Sequence, residues 1–255
     1  MRVIWNGTGA AWSYHLGNAS AIVETDGLRI LIDCGHTVPA RLQQMHLAFN
    51  DIDAVVITHL HGDHIYGLEE WGFRNFLIWN RRPPLLIAHP LVDPLWHHVL
   101  SGTMGQNDQK RQLGDYFQVI PLQENAPLPF GPVTIEVHPV LHVPGVPAYG
   151  IKLQGPDATI AFTGDTQAEG NPFFYNDVDL TFHDCSFLPP YPNTVHAHFE
   201  ELQRYPREWR QKTYLTHYED AVQQWRTDPQ WRAMVEQTGM RLAEPFTPIE
   251  VIHTP

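Results

Sequence analysis

Short apolar runs rich in β-branched residues recur along the chain, and turn residues or amphipathic stretches separate them. Each run predicts a β-strand, and the predicted strands lie at residues 3–5, 21–24, 28–33, 54–58, 85–88, 133–137, 151–153, 159–163, 180–183 and 214–216. Helices are predicted between them, at residues 37–45, 67–76, 91–100 and 229–238. Because strands and helices interleave in both halves, the pattern predicts an α/β fold in which helices cover β-sheets.

Turn and cap signals refine several of these boundaries. The Asp26-Gly27 pair predicts a tight hairpin between two of the strands. Thr37 is predicted to be the N-cap of the first helix. The Pro-rich stretches are too short to be interdomain linkers, and no segment repeats with a period of about 20 to 50 residues. We therefore expect one domain over residues 1–255.

Composition and charge exclude several classes of protein. Hydrophobic residues make up 43% of the 255 residues and charged residues only 17%, which excludes a disordered chain. The net charge of −12 disfavours a dedicated nucleic-acid binder because it repels phosphate polymers. Cys34 and Cys185 lack the spacing of a disulfide framework, so we expect buried free thiols in a reducing compartment. No signal-peptide pattern and no stretch of about 18 apolar residues occurs, which predicts a cytoplasmic protein.

The densest chemical feature is the segment HLHGDH at residues 59–64, which directly follows a predicted buried strand. Its three imidazoles and one carboxylate suit zinc or a similar divalent metal. Alternation along an extended turn is expected to put His59 and His61 on one side and Asp63 and His64 on the other. The competing interpretation is a His-rich polar loop or the remnant of a tag, but a tag would lie at a terminus and lack the preceding strand.

This H-x-H-x-D-H signature resembles that of the metallo-β-lactamase superfamily of hydrolases, and the resemblance extends over essentially the whole chain. It implies a four-layer αβ/βα sandwich with a dinuclear metal site at one edge of the paired sheets. It also implies three further ligands at strand ends in the second half of the chain. The implied ligands are His59, His61 and His142 for the first metal, Asp63, His64 and His217 for the second, and Asp165 as the bridge between both.

Two further residues, His138 and Asp33, bear on the resemblance to this superfamily. His138 competes with His142, and we favour His142 because the short apolar and Pro/Gly run after it leads directly into the next strand. Asp33 resembles the outer aspartate of the family, which would orient a ligating imidazole through its free ring N–H.

The resemblance implies hydrolysis by a metal-bound hydroxide. Two divalent ions, Zn²⁺ in the first place and Mn²⁺ or Fe²⁺ as alternatives, would lower the pKa of a shared water towards about 7, and Asp63 belongs to this catalytic set. Antibiotic-hydrolysing members typically carry a cysteine at the place of Asp165, and flavodiiron members carry a carboxylate at the place of His61. Neither branch is therefore expected.

Segments TFHD at 181–184 and NTVHAHFEE at 193–201 resemble the ribonuclease Z-like phosphodiesterase branch. In that branch an acidic residue after an apolar strand hydrogen-bonds a histidine just ahead of a helix, and Asp184 and His196 match these two roles. A carboxylate contact raises the basicity of an imidazole, which suits a general acid for an alkoxide leaving group. His198 stands where a helix N-cap would lie, so it is either a cap or a second proton donor.

The chain lacks the long basic arm with which ribonuclease Z holds tRNA. Together with the net charge of −12, this favours a small substrate such as a cyclic nucleotide over a large nucleic acid. A phosphodiesterase is therefore predicted first, and a carboxylic ester, lactone or thioester hydrolase is the alternative. A tRNA 3′ endonuclease and a non-enzymatic ligand sensor follow. The resemblance also suggests a homodimer, and no membrane partner is expected.

Overall fold

Two seven-stranded β-sheets are stacked face to face in the computed structural model, which describes residues 1–105, 110–169 and 177–253. The first sheet consists of β1 (Arg2–Gly7), β2 (Ser20–Thr25), β3 (Leu28–Ile32), β4 (Ala54–Ile57), β5 (Pro84–Ala88), β6 (Gln118–Leu122) and β14 (Pro248–Glu250). The second consists of β7 (Leu128–Phe130), β8 (Val133–Pro139), β9 (Tyr149–Gln154), β10 (Thr159–Phe162), β11 (Leu180–Asp184), β12 (Thr213–Thr216) and β13 (Arg241–Leu242).

Both sheets are mixed, and they follow the same plan. The first has the order β14-β1-β2-β3-β4-β5-β6, antiparallel as far as β3 and parallel from β3 to β6. The second has the order β13-β12-β11-β10-β9-β8-β7, parallel from β13 to β10 and antiparallel beyond. Each half of the chain therefore builds antiparallel strands first and parallel strands afterwards.

Helices connect the parallel strands and complete the layered α/β architecture that the sequence predicts. They are α1 (Val38–Gln44), α2 (Gly62–Ile65), α3 (Leu68–Leu77), α4 (His89–Pro94), α5 (Ser101–Met104), α6 (Leu113–Tyr116), α7 (Phe199–Leu202), α8 (Arg207–Gln211), α9 (Val222–Trp225) and α10 (Pro229–Gln237). A 3₁₀ turn at Phe49–Asp51 and a π-helical segment at Leu95–Leu100 complete the set in the described residues. None of these described helices is long and apolar enough to cross a membrane.

The main hydrophobic core lies between the two sheets. Trp5 of β1 packs against two rings of the second sheet, with ring centroids 5.8 Å from Phe162 and 5.4 Å from Phe182. All four residues of β4 are buried, because helices cover one face of this parallel strand and the second sheet covers the other. This explains why β4 has a continuous apolar sequence instead of an alternating one.

The sequence predicted local structure correctly where the interacting residues are close together in the chain. The predicted hairpin joins β2 and β3, with Asp26 and Gly27 at φ values of 43° and 77°. Thr37 precedes α1 as predicted, but its hydroxyl does not cap the helix. It accepts a hydrogen bond from the backbone N–H of Asn18, 2.8 Å away, so Thr37 is the N-cap residue without a side-chain cap.

Four strands were missed, namely β6, β7, β13 and β14, and each lies at the edge of its sheet. Three of the four contain proline. Pro121 lies in β6 and Pro129 in β7, and each of these strands forms an edge of its sheet. An edge strand tolerates proline because one side of its backbone needs no ladder hydrogen bond. The prediction that Cys34 and Cys185 are buried free thiols is confirmed as far as burial and pairing are concerned.

The two sheets are joined directly at the end where β4 and β10 stop. The backbone N–H of Tyr149 in β9 donates to the carbonyl of Thr58, which follows β4, over 3.1 Å. Gly164 follows β10 at φ 59°, and a Cβ there would lie 2.8 Å from the Tyr149 carbonyl oxygen. Glycine is required at this junction because both the backbone conformation and the close approach exclude a side chain.

We predict that Gly164→Ala lowers the free energy of unfolding by about 2–4 kcal/mol, because it adds overlap to an unfavourable left-handed backbone. The control is Gly27→Ala, where φ is 77° but no atom lies within 4 Å of the added Cβ. That variant should lose only about 1 kcal/mol. Urea unfolding of the metal-free proteins measures both values, and equal losses would contradict the importance of the junction.

Candidate metal centre

The residues predicted as metal ligands lie together at one edge of the paired sheets. They lie in the segments that follow β4, β8, β10 and β12, with Asp63 and His64 in the short helix α2. Strands that run in the same direction present their carboxyl ends at the same edge. The structure brings together all seven, namely His59, His61, Asp63, His64, His142, Asp165 and His217. They form two groups of four that share Asp165, and the ligand atoms within each group lie within 4.8 Å of one another.

The first group contains three imidazoles and Asp165. Nδ1 of His61 lies 3.0 Å from Nε2 of His59 and 3.1 Å from Nε2 of His142. Oδ2 of Asp165 lies 3.7 Å from each of those two Nε2 atoms. Ligand atoms about 2.0–2.1 Å from a tetrahedral zinc ion are separated by about 3.3 Å, so these distances fit a single bound ion.

The second group contains two imidazoles and two carboxylates. Oδ2 of Asp63 lies 3.2 Å from Nε2 of His64 and 3.2 Å from Nε2 of His217. Asp165 approaches the same two nitrogens at 3.3 Å, with Oδ1 facing His64 and Oδ2 facing His217. One carboxylate of Asp165 therefore contributes to both groups.

Hydrogen bonds on the outer side of the rings determine which nitrogen is free to bind a metal. His64 donates from Nδ1 to Oδ2 of Asp33 over 2.7 Å, and its buried Nε2 has no hydrogen-bond partner. His142 donates from Nδ1 to the carbonyl of Val195 over 2.9 Å. In both rings Nδ1 is used on the outer side and Nε2 faces the cluster, so the Nε2 lone pair is available to a metal once the ring is neutral.

His59 is oriented in the same way through a hydroxyl relay. The hydroxyl of Thr58 donates to Oδ2 of Asp33 over 2.7 Å, so its oxygen is left to accept from Nδ1–H of His59, 3.1 Å away. Asp33 also accepts from the backbone N–H of Thr58 over 2.8 Å. The carboxylate of Asp33 thus orients one imidazole of each group, His64 directly and His59 through Thr58.

The backbone near these residues is locally strained. Asp33 and His217 both have a φ of 57°, in the left-handed region that non-glycine residues rarely adopt. Such conformations cost about 1 kcal/mol or more each and persist where surrounding contacts enforce them. Here they direct Asp33 towards Thr58 and His64, and His217 towards Asp63 and Asp165.

Burial and charge affect the two groups differently. Burial lowers the pKa of His59 and of His142, which keeps both rings neutral and able to ligate. Burial also opposes protonation of His64 and His217, but the carboxylate of Asp165 and its acidic neighbours outweigh it and raise the pKa of both rings. For Asp165, burial is outweighed by the imidazoles, beginning with His217, which hold the pKa of the carboxyl well below its usual range. The carboxylate of Asp165 therefore stays ionised, and a divalent cation bound there would take the place of the imidazole protons.

The predicted pair of Asp184 and His196 lies beside the second group. His196 donates from Nδ1 to Oδ2 of Asp184 over 2.8 Å, and the backbone N–H of Thr166 donates to the same oxygen over 2.9 Å. The ring of His196 stacks on that of His217 at a centroid distance of 4.9 Å. Oδ1 of Asp184 lies 3.5 Å from Nδ1 of His217. Asp184 is therefore placed between the candidate proton donor and a candidate ligand.

His138 and His198 are the two histidines whose roles the sequence left open. His138 projects from β8 and lies 3.2 Å from Glu136, away from both groups. His198 is fully buried at the N-cap position of α7, where its backbone N–H donates to Glu201. Nδ1 of His198 donates to the carbonyl of Leu188 over 2.8 Å, so the ring faces a loop instead of the metal site.

Sequence reasoning missed Thr58 and the carbonyl of Val195, which orient His59 and His142. Thr58 carried a weak signal, since it stands between a buried strand and the first ligand. No side-chain pattern could have identified the Val195 carbonyl, because it depends on a contact over 53 residues of sequence.

Relatives of the chain are found both by sequence and by structure. The family described as "Anti-Pycsar protein Apyc1" matches residues 1–240. A protein of that name from Paenibacillus harenae is 36% identical over 256 residues, covering 98% of this chain and 100% of the relative. Another from Bacillus phage BSP38 is 35% identical over 240 residues, covering 85% of this chain and 88% of the relative.

Solved structures with the metallo-β-lactamase fold align over nearly the whole chain. YhfI of Bacillus subtilis has a TM-score of 0.73 at 20% identity, covering 97% of this chain and 98% of that protein. The short form of human tRNase Z has a TM-score of 0.72 at 19% identity, covering 99% and 100% of the two chains. These likenesses confirm the predicted fold. The fold and the clustered His and Asp side chains support a metal-dependent hydrolase.

We predict that Asp33→Asn weakens metal binding by about 10- to 100-fold, because an amide cannot accept the three hydrogen bonds that the carboxylate accepts. Competition with a chromophoric chelator measures the affinity. Asp228→Asn is the matched control, since this exposed side chain lies at the N-cap of α10, where asparagine also serves. An Asp33→Asn protein with unchanged affinity would contradict the orienting role.

Proposed function

The chain belongs to the Anti-Pycsar protein Apyc1 family, and on that basis we propose that it is a phosphodiesterase that hydrolyses a small, cyclic-nucleotide-like substrate with two divalent metal ions. The observation that carries this proposal is the contact of His196 with Asp184 directly beside the candidate metal ligands. Cleavage of a phosphodiester with an alkoxide leaving group needs a proton donor at this position, whereas a good leaving group does not.

The donor set supports two metal ions. Asp165 belongs to both groups: Oδ2 lies nearest the first, and both of its oxygens lie near the second. A carboxylate shared in this way would be able to serve two ions at once. Imidazole nitrogen predominates among the ligands, which favours Zn²⁺, with Mn²⁺ or Fe²⁺ as alternatives. When bound, such ions would lower the pKa of a water molecule and polarise a phosphoryl oxygen.

The protein's own groups would then orient the reaction and deliver a proton. Because Nδ1–H of His196 is committed to Asp184, the proton available for transfer is the one on Nε2. Burial opposes the charged form of His196, but the carboxylate of Asp184 outweighs it and raises the pKa of the ring. His196 is therefore suited to be protonated near neutral pH and to protonate a departing oxygen.

Charge supports a small substrate. The loops that carry the candidate ligands and the proton donor contain no Lys or Arg, and they span residues 58–66, 140–148, 163–169, 185–198 and 217–220. A polyanionic RNA gains affinity chiefly from such cations. A single phosphodiester, whose one negative charge two metal ions would compensate, is the better match.

A direct test compares three substrate classes on one metal-loaded preparation. We expect turnover of bis-p-nitrophenyl phosphate and of at least one 3′,5′-cyclic mononucleotide, with little hydrolysis of a simple lactone. Chromatography of the nucleoside monophosphate product, absorbance at the nitrophenolate band and a pH-indicator assay for the acid formed from the lactone measure these rates. Rapid lactone hydrolysis with inert phosphodiesters would instead establish the alternative, a carboxylic ester, lactone or thioester hydrolase.

We predict that His196→Ala lowers kcat for a cyclic mononucleotide by about 100-fold or more, because the alkoxide then leaves without a proton. The loss for bis-p-nitrophenyl phosphate should be much smaller, since nitrophenolate is a stable anion. His138→Ala is the matched control, because His138 lies away from the ligand groups. Equal losses on both substrates would remove His196 from the role of proton donor.

A further inference from the structure

In the segment before α7, the hydroxyl group of Thr194 contacts the main chain of His196. Oγ1 of Thr194 lies 3.4 Å from the backbone nitrogen of His196 and 3.1 Å from its carbonyl oxygen. The same oxygen lies 2.8 Å from Nε2 of His198. Thr194 thus stands between the candidate proton donor and a buried ring two residues further along.

The direction of these hydrogen bonds follows from the contact between His198 and the carbonyl of Leu188. Nδ1 of His198 faces the carbonyl of Leu188, so it carries the hydrogen and donates it. With the hydrogen of the ring on Nδ1, Nε2 is an acceptor, and the hydroxyl of Thr194 donates its single hydrogen to it over 2.8 Å. The carbonyl oxygen of His196, 3.1 Å from Oγ1, is then a contact without that hydrogen. The oxygen of that hydroxyl is left to accept from the backbone N–H of His196.

The ring that anchors Thr194 is immobilised in turn. His198 has no exposed surface, and its backbone N–H donates to Glu201 over 2.9 Å. On either side of it, Ala197 accepts from the N–H of Ser186 over 2.7 Å and Phe199 donates to the Ser186 carbonyl over 2.9 Å. The anchor is therefore tied both to α7 and to the residues that follow β11.

The neighbouring residue fixes the segment to the first metal group. The carbonyl of Val195 accepts from Nδ1 of His142 over 2.9 Å. The main chain just before His196 is thus held at two successive residues, by a hydroxyl at Thr194 and by a candidate ligand at Val195. A displacement of about 1 Å at a reacting group can cost about 100-fold in rate, so such contacts matter for proton transfer.

We propose that Thr194 and His198 are positioning residues for the proton donor: they fix the main chain of His196 so that its ring, held on Asp184, meets the leaving oxygen. This proposal rests on the proposed function, in which His196 protonates an alkoxide. It assigns His198 a supporting role in the network and excludes it as a second proton donor, because both of its ring nitrogens are engaged.

The first test compares Thr194→Val with Thr194→Ser. The valine variant keeps the shape of the side chain but loses the hydroxyl, and we expect the ratio of kcat for a cyclic mononucleotide to kcat for bis-p-nitrophenyl phosphate to fall about 10-fold. The serine variant restores the hydroxyl and should return the ratio to within about 3-fold of the parent. The control is Thr227→Val, whose exposed hydroxyl donates to the carbonyl of Gln224 near α9, and it should leave the ratio unchanged.

A second variant changes His198, the residue that anchors Thr194, and keeps one of its two side-chain hydrogen bonds. His198→Asn keeps a donor near the position of Nδ1 for the Leu188 carbonyl, but its shorter side chain places no acceptor at the position of Nε2, where Thr194 donates. We expect the same selective loss, and the double variant with Thr194→Val should be no worse than either single one, since both break the same link. Additive losses would show that His198 and Thr194 act independently and would overturn the proposed network.

Metal content and melting temperature are measured for every variant to separate positioning from general damage. A Thr194→Val protein that loses both activities equally, or neither, overturns the positioning role. His196→Ala serves as the reference: if it is selective and Thr194→Val is not, only the positioning role fails. If His196→Ala is itself unselective, the proposed proton donor fails and the positioning role fails with it.

Discussion

The carboxylate of Asp165 is the group on which the arrangement of the site depends. It is only 3% exposed, and burying an unpaired carboxylate in a protein interior is strongly unfavourable. Four imidazole nitrogens surround it at 3.3–3.7 Å, and they come from both halves of the chain. The left-handed backbone at Gly164 and at His217 is what allows these groups to meet. Fold and site are therefore linked through the compensation of one buried charge.

Asp33 and Asp184 have similar roles on two sides of the Asp165 carboxylate, since each accepts a hydrogen bond from an imidazole. Asp33 receives His64 and, through Thr58, influences His59. Asp184 receives His196 and faces His217. Each carboxylate is buried and acts on two imidazoles at once, so a change at either one would disturb more than a single contact. This explains why residues outside the ligand set limit what can be substituted at the site.

The sequence predicted the fold class and pointed to seven residues that the structure places together, because their signals are local. The HLHGDH segment and the polar residues at strand ends can be recognised without knowing the packing. What it could not predict depends on partners distant in sequence. Thr37 bonds to Asn18 instead of its own helix, and Val195 supports His142 only once β8 and the segment before α7 are adjacent. Proline at β6 and β7 was misleading because the sequence does not reveal which strands become edges.

The spacing of the ligands along the chain has a thermodynamic consequence. His61 and His142 are 81 residues apart, and Asp63 and His217 are 154 residues apart, yet each pair would share one ion. An ion bound to the native site and absent from the unfolded chain would therefore act as a cross-link that closes very long loops. By analogy with disulfides, closing a loop of about 100 residues removes unfolded-state entropy worth about 4–5 kcal/mol. In a chain whose two cysteines are unpaired, the metal ions would take over the part that covalent cross-links play in other proteins.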